Sequence, residues 1–187
     1  MNDDVKYEIY LSQLRDSYAR VVYTHKVHEK SADRLIARER IVRGMQIVLS
    51  AIVSTGLLVT IFGEVYWVVI TTTLVSILLV FVNTFFKGRN LVLEAQEHKA
   101  AASKLWLVRE RYMSIIADVV SRQISIEEIR LIRDKILKDQ AAVYANSPRT
   151  NNAAYKKAQK ALQKNEDLTT SDEEINMFLP SGLKKKP

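Results

Sequence analysis

The sequence predicts an all-α membrane protein: a two-helix transmembrane hairpin extended into a cytoplasmic antiparallel coiled coil, with additional C-terminal cytoplasmic helices. Three observations carry this fold class. Two apolar runs, Met45–Phe62 and Val65–Phe86, are separated only by Gly63 and Glu64. On either side of them, apolar residues recur at alternating spacings of four and three. No proline or glycine interrupts the stretch from Asn2 to Arg43.

Each run approaches the ~20 residues that a helix needs to cross a hydrocarbon core. Lipid satisfies no free backbone N–H or C=O, so two such runs joined by a minimal turn fold as antiparallel transmembrane helices. A buried hairpin of a soluble bundle is disfavoured by the length and apolarity of both runs. The overall mean hydropathy of −0.08 hides them, because it averages an apolar block with two charged flanks.

Arg34, Arg38, Arg40 and Arg43 precede the first span, Lys87 and Arg89 follow the second, and the turn holds only the acidic Glu64. An excess of basic residues marks the cytoplasmic side, so both termini are expected in the cytoplasm of a multi-pass protein. Tyr66 and Trp67 beside the turn suit the outer headgroup layer, and Phe85 and Phe86 the inner one.

Neither span contains an acidic, basic or histidine side chain. Such groups mark proton relays and ion-coupled carriers, so a proton-coupled transporter is disfavoured. Uncharged polar residues do occur. Ser50 and Ser54 share a face of the first helix, with Gly56 pointing elsewhere, and Thr72, Ser76 and Asn83 make a face of the second. These five are candidates either for close helix packing through small residues or for lining a pore once several hairpins assemble.

Before the first span, Tyr7, Leu11, Leu14, Tyr18, Val21, His25, His28, Ala32 and Leu35 form a heptad seam. After the second, the spacing returns with Leu91, Ala95, His98, Ala102, Leu105, Arg109, Tyr112, Ile116 and Val119. Only Gly44 and Gly88 stand between the seams and the spans as helix breakers. Folding back about Gly63 and Glu64 brings His28 opposite His98 and Lys99, with His25 one turn further out. Three histidines in one layer suggest a pH response or a metal site. Without Asp, Glu or Cys on the seam, a role in setting register is preferred, and no metal is assigned.

Ser125-Ile126-Glu127-Glu128 has the form of a capping box, which starts a helix at Ile126 with Ile129, Ile132 and Ile136 as its apolar stripe towards Val143. Asn146 to Asn152 reads as a loop, and Tyr155–Lys164 as a short, exposed basic helix. A second box, Ser171-Asp172-Glu173-Glu174, introduces Ile175 to Leu179 before Pro180 ends the element. The expected organisation is therefore residues 1–122 as hairpin with long helices, 123–180 as a helical region and 181–187 as a basic, mobile tail.

The net charge of +7 fits attraction to anionic lipid, at ~1 kcal/mol per basic residue near the surface, better than nucleic-acid binding. Met1 to Lys6 lacks the basic and apolar regions of a signal peptide, so the first span is expected to target the chain itself. With no cysteine there is no disulfide, thiolate zinc site or cysteine nucleophile. Phosphate-binding loops, HExxH and GxSxG are absent, and five glycines assemble no cradle. Neither an enzyme nor a cofactor is expected.

The order of a long helix, a tight two-span hairpin, a returning helix, a capped helical segment and Glu173-Glu174-Ile175-Asn176-Met177-Phe178-Leu179-Pro180 resembles the SLATT family. These are the SMODS and SLOG-associating two-transmembrane effector domains of bacterial conflict systems, and the resemblance runs from about Lys6 to Pro180. It implies an oligomeric effector of antiphage defence in the bacterial inner membrane, forming a pore or disrupting the bilayer when a partner or nucleotide signal releases it. The implied partner is a neighbouring nucleotide-signalling enzyme, sensor or reverse transcriptase, alongside further copies of the chain. The resemblance assigns no residue a role. The alternative is a non-conducting anchor that recruits a cytoplasmic partner through its coiled coil.

Overall fold

The structure is a computed structural model that describes residues 3–63, 65–165, 167, 168, 171, 174, 175 and 177, and its regular elements are all helices. Helix α1 runs unbroken over Asp3–Phe62, α2 over Tyr66–Lys87, α3 over Leu91–Val120, α4 over Ile126–Ala145 and α5 over Asn152–Lys164. Gly44 does not break α1, because a lone glycine costs an interior only ~1 kcal/mol. The return arm behaves differently. Gly88 caps α2 through its N–H to Phe86 O, and Asn90 opens α3 by accepting from the Leu93 N–H at 3.0 Å.

Helices α1 and α3 pack antiparallel, and none of the eighteen seam residues predicted from the four-and-three spacing is exposed. Leu14, Val21, Leu105, Tyr112 and Val119 form the core of this pair, joined by Ile129 and Ile136 of α4. Full burial of a side chain of this size stabilises by ~1.5–3 kcal/mol. The far end is fastened by the Tyr7 hydroxyl donating to Ile124 O at 2.7 Å and by the Arg122–Asp4 ion pair at 2.9 Å.

The turn from α3 to α4 has the geometry of a Schellman cap, with the Gln123 N–H on Asp118 O and the Arg122 N–H on Val119 O. Arg122 takes the left-handed position at φ 57°, where glycine is usual, and its guanidinium lies 4.0 Å from the centre of the Tyr7 ring. The expected capping box then starts α4: the Ser125 N–H donates to Glu128 Oε2 at 2.8 Å, and Ser125 Oγ accepts from the Glu128 N–H at 3.3 Å. Those backbone and hydroxyl donors hold the Glu128 carboxyl below its usual range. Along α4, Ile129 and Ile136 are buried whereas Ile132 is exposed.

Helix α5 departs from expectation twice. It begins at Asn152, because Asn151 accepts from the Ala154 N–H and caps it, and it is not an exposed helix. Ala154, Ala158 and Ala161 are almost fully buried, and α5 packs on α1. Their spacing of four and three makes one flat alanine face beside Val27. Tyr155 stacks on Tyr23 at 6.2 Å, and Gln163 donates to the Tyr23 hydroxyl at 2.7 Å.

Ser171 and Glu174 make both hydrogen bonds of the second predicted box. Its Asp172 and Glu173 lie outside the described residues, as do Asn176, Phe178 to Pro180, the 181–187 tail and Glu64 at the hairpin turn.

Candidate functional site

Two regions of this scaffold carry chemistry. The first is the pair of apolar segments, the C-terminal part of α1 and the whole of α2, which are long and apolar enough to cross a membrane. They are scarcely buried against the rest of the chain. Ile47, Ile61, Leu74 and Phe81 are each more than half exposed, so these helices are not the core of a water-soluble fold.

The segments meet along a narrow line. A Cβ placed on Gly56 would lie 2.0 Å from Thr72 Oγ1, so glycine is what permits the crossing. Nearer the charged helices, the Gln46 side-chain amide donates to Asn83 Oδ1 at 2.9 Å. Arg38 lies over the Phe86 ring and Arg89 over Phe85.

The five polar candidates are thereby separated. Thr72 is buried in the crossing, Ser76 is half-buried, and Asn83 is exposed but bonded to Gln46. Ser50 and Ser54 are exposed on α1 and take no part in the crossing, whose small residue is Gly56.

The second region is a polar layer in the α1–α3 core. His28 and His98 are each 2 % exposed, and their Nδ1 atoms stand 2.9 Å apart. That distance is a hydrogen bond, which requires one ring to donate and the other to accept, so at most one Nδ1 carries a proton. Burial, then the neighbouring His98 and His25, pull His28 down to about 4. Burial likewise lowers His98 against the opposing charges of Glu94 and Glu97. Among the described residues, no group of three or more His, Cys, Asp or Glu is placed to hold a metal ion.

His25 is separate from that pair. Its Nε2 faces Glu29 Oε1 at 3.8 Å, and its buried Nδ1 has no hydrogen-bond partner. Burial lowers its proton affinity, Glu29 opposes this, and Arg109 and Lys26 reinforce it. The ring lines an open cleft of about 700 Å³ between α1 and α3, with Lys26, Lys30, Lys99, Trp106 and Arg109.

The cleft and its charges were not foreseen from sequence. Lys26 is buried and bonded to Glu29 and to Asp167, each at 2.9 Å. Burial pulls its ammonium down, and the two carboxylates more than offset this, so its proton affinity is raised overall. Asp167 follows α5 with no periodic pattern to announce its partner.

The family model described as SMODS and SLOG-associating 2TM effector domain family 4 matches residues 10–174. No curated protein and no solved structure matches the chain.

Proposed function

Because the chain belongs to the SMODS and SLOG-associating two-transmembrane effector family, a family of membrane effectors in conflict systems, we propose that it is a homo-oligomeric effector of bacterial defence that permeabilises the inner membrane. In this reading both termini and the helices outside the spans face the cytoplasm, where a partner or nucleotide signal acts on them. A neighbouring nucleotide-signalling enzyme, sensor or reverse transcriptase supplies that signal.

One observation carries the proposal: the spanning segments have almost no interior of their own. Their apolar side chains are exposed around most of the circumference, and Ser50 and Ser54 lie outside the single crossing. Two helices cannot enclose an aqueous path, so conduction requires several copies. Packing of copies covers the apolar faces and directs hydroxyls towards a shared axis.

Purified protein reconstituted into dye-loaded liposomes tests this. Release of dye on addition of the genetically adjacent partner or its product, together with growth arrest on induced expression, is the expected result. Inserted, folded protein that never leaks under any such condition would overturn it in favour of a non-conducting anchor. An anchor also tolerates apolar residues of matching size at Thr72, Ser76 and Asn83, such as valine at Thr72.

A further inference from the structure

We infer that a pocket between α1 and the break separating α2 from α3 holds the phosphodiester headgroup of an anionic phospholipid. The pocket has a volume of about 300 Å³ and is lined by the apolar Val42, Phe86 and Leu91 and by the basic Arg43, Lys87 and Arg89. Its depth follows from the sequence: Arg43 stands just before the apolar run that begins at Met45, and Lys87 directly follows the run that ends at Phe86. In a bilayer the pocket therefore lies in the headgroup layer, level with the lipid phosphates. Aromatic rings at the end of α2 hold two guanidiniums at this level. Arg38 lies 5.9 Å from the centre of the Phe86 ring and Arg89 5.7 Å from that of Phe85, an arrangement that suits rings against acyl chains and cations among phosphates.

Charge and size define the ligand. Lys87 and Arg89 are exposed and form no ion pair among the described residues. Arg43 turns its Nε to Glu39, the acid on the pocket wall, and the rest of its forked guanidinium keeps N–H donors for a phosphate. The cations outnumber the carboxylate, and each basic residue near a membrane surface attracts anionic lipid by ~1 kcal/mol. A volume of about 300 Å³ is at the lower end for small-molecule sites, so it admits a headgroup and leaves the acyl chains outside. Those chains find apolar surface close by. Ile47 on α1 and Phe81 and Phe85 on α2 are each more than half exposed, a contact that a soluble phosphate lacks. The break itself makes the room: α2 ends at Lys87 and α3 begins at Leu91, so the chain leaves its helical path beside α1 at the level of these basic side chains.

The site rests on the two segments spanning a bilayer and not on permeabilisation, so the two are measured apart. Full-length protein in a neutral detergent is titrated with phosphatidylglycerol, or with zwitterionic phosphatidylcholine as the control, while its melting temperature is followed. Phosphatidylglycerol should raise that temperature saturably, by roughly 3 °C at ten times its half-saturating content, and phosphatidylcholine should raise it much less. Lys87→Gln and Arg89→Gln should each increase the half-saturating content about fivefold. Arg89→Lys, which keeps the charge, should stay within about threefold of the parent and so separates lost charge from lost fold. Lys156→Gln with Lys160→Gln, on α5, should change nothing. Equal responses to the two lipids would overturn the site. So would equal losses from the α5 pair, because diffuse charge would then suffice. Inorganic phosphate and a short DNA duplex form the other arms, and either one matching phosphatidylglycerol at equal phosphate concentration would overturn lipid as the ligand. Saturable lipid binding without dye release would leave the site standing and remove the permeabilising function; dye release without a lipid preference would do the reverse.

Discussion

Gly56 and Thr72 meet where α1 and α2 cross, and the space between them is already filled by the threonine side chain. A Cβ on residue 56 would lie 2.0 Å from Oγ1, 3.0 Å from Cγ2 and 3.1 Å from Cβ of Thr72. Rotating the threonine therefore exchanges one clash for another. Gly56→Ala should force the helices apart and destabilise the hairpin by about 1–3 kcal/mol, read as a lower melting temperature in detergent. Adding Thr72→Ala should recover most of the loss. Unchanged melting of the single variant would show that the helices do not approach this closely.

The His28–His98 pair makes stability depend on pH. An unfolded histidine takes up its proton near 6.5, whereas folded His28 does so only at about 4. Across that window the unfolded chain binds more protons, so stability falls as pH falls, by roughly 3 kcal/mol for His28 alone. Above the window the contribution is complete. His98 and His25 shift in the same direction. Denaturation midpoints at about pH 7 and pH 5 should therefore differ, and His28→Leu with His98→Leu should flatten the dependence. Equal midpoints in the parent would refute buried neutral rings.

Helix α5 is held by an alanine face, which admits nothing larger. Ala158 is 0 % exposed, so Ala158→Glu buries an unpaired carboxylate and should release α5 from α1 at a cost of several kcal/mol. Limited trypsin digestion should then cut at Lys156, Lys157 or Lys160 well before the parent is cut. Parent-like digestion would mean that α5 does not rest on α1.

Ser50 and Thr72 offer a test that separates packing from conduction. Ser50→Leu and Ser54→Leu change exposed positions and should leave melting within about 0.5 kcal/mol of the parent, while abolishing dye release from liposomes. Thr72→Leu overfills the crossing and should reduce both. Full release from the double Ser50→Leu, Ser54→Leu variant would place the conducting path elsewhere.

The long helices were legible in the sequence because leucines, tyrosines and valines recur at four and three, and that spacing survives any choice of partner. The His28–His98 contact followed from antiparallel folding about Gly63 and Glu64. Alanine gives no such contrast. At Ala154, Ala158 and Ala161 a buried face looks like ordinary helix filler among lysines, so α5 reads as exposed. Within the spans, polar side chains suggested a face at Ser50 and Ser54, yet α1 approaches α2 through the residue with no side chain. The cleft was hidden for a third reason: Lys26 and Asp167 are paired by the chain's return after α5, which no local pattern encodes.

The two arms of the molecule differ in mechanical character. At 1.5 Å per residue, the 60 residues of α1 form a single rod of ~90 Å, with its hydrogen-bond ladder continuous through Gly44. The opposite arm is jointed where Gly88, Arg89 and Asn90 separate α2 from α3. A rotation imposed near Val21 would therefore carry through to Leu57 along one helix, whereas one imposed at Leu105 would meet the break at residues 88–90 first. The first apolar segment is thus one piece with the helix that precedes it, whereas the second is set apart from α3 by the joint.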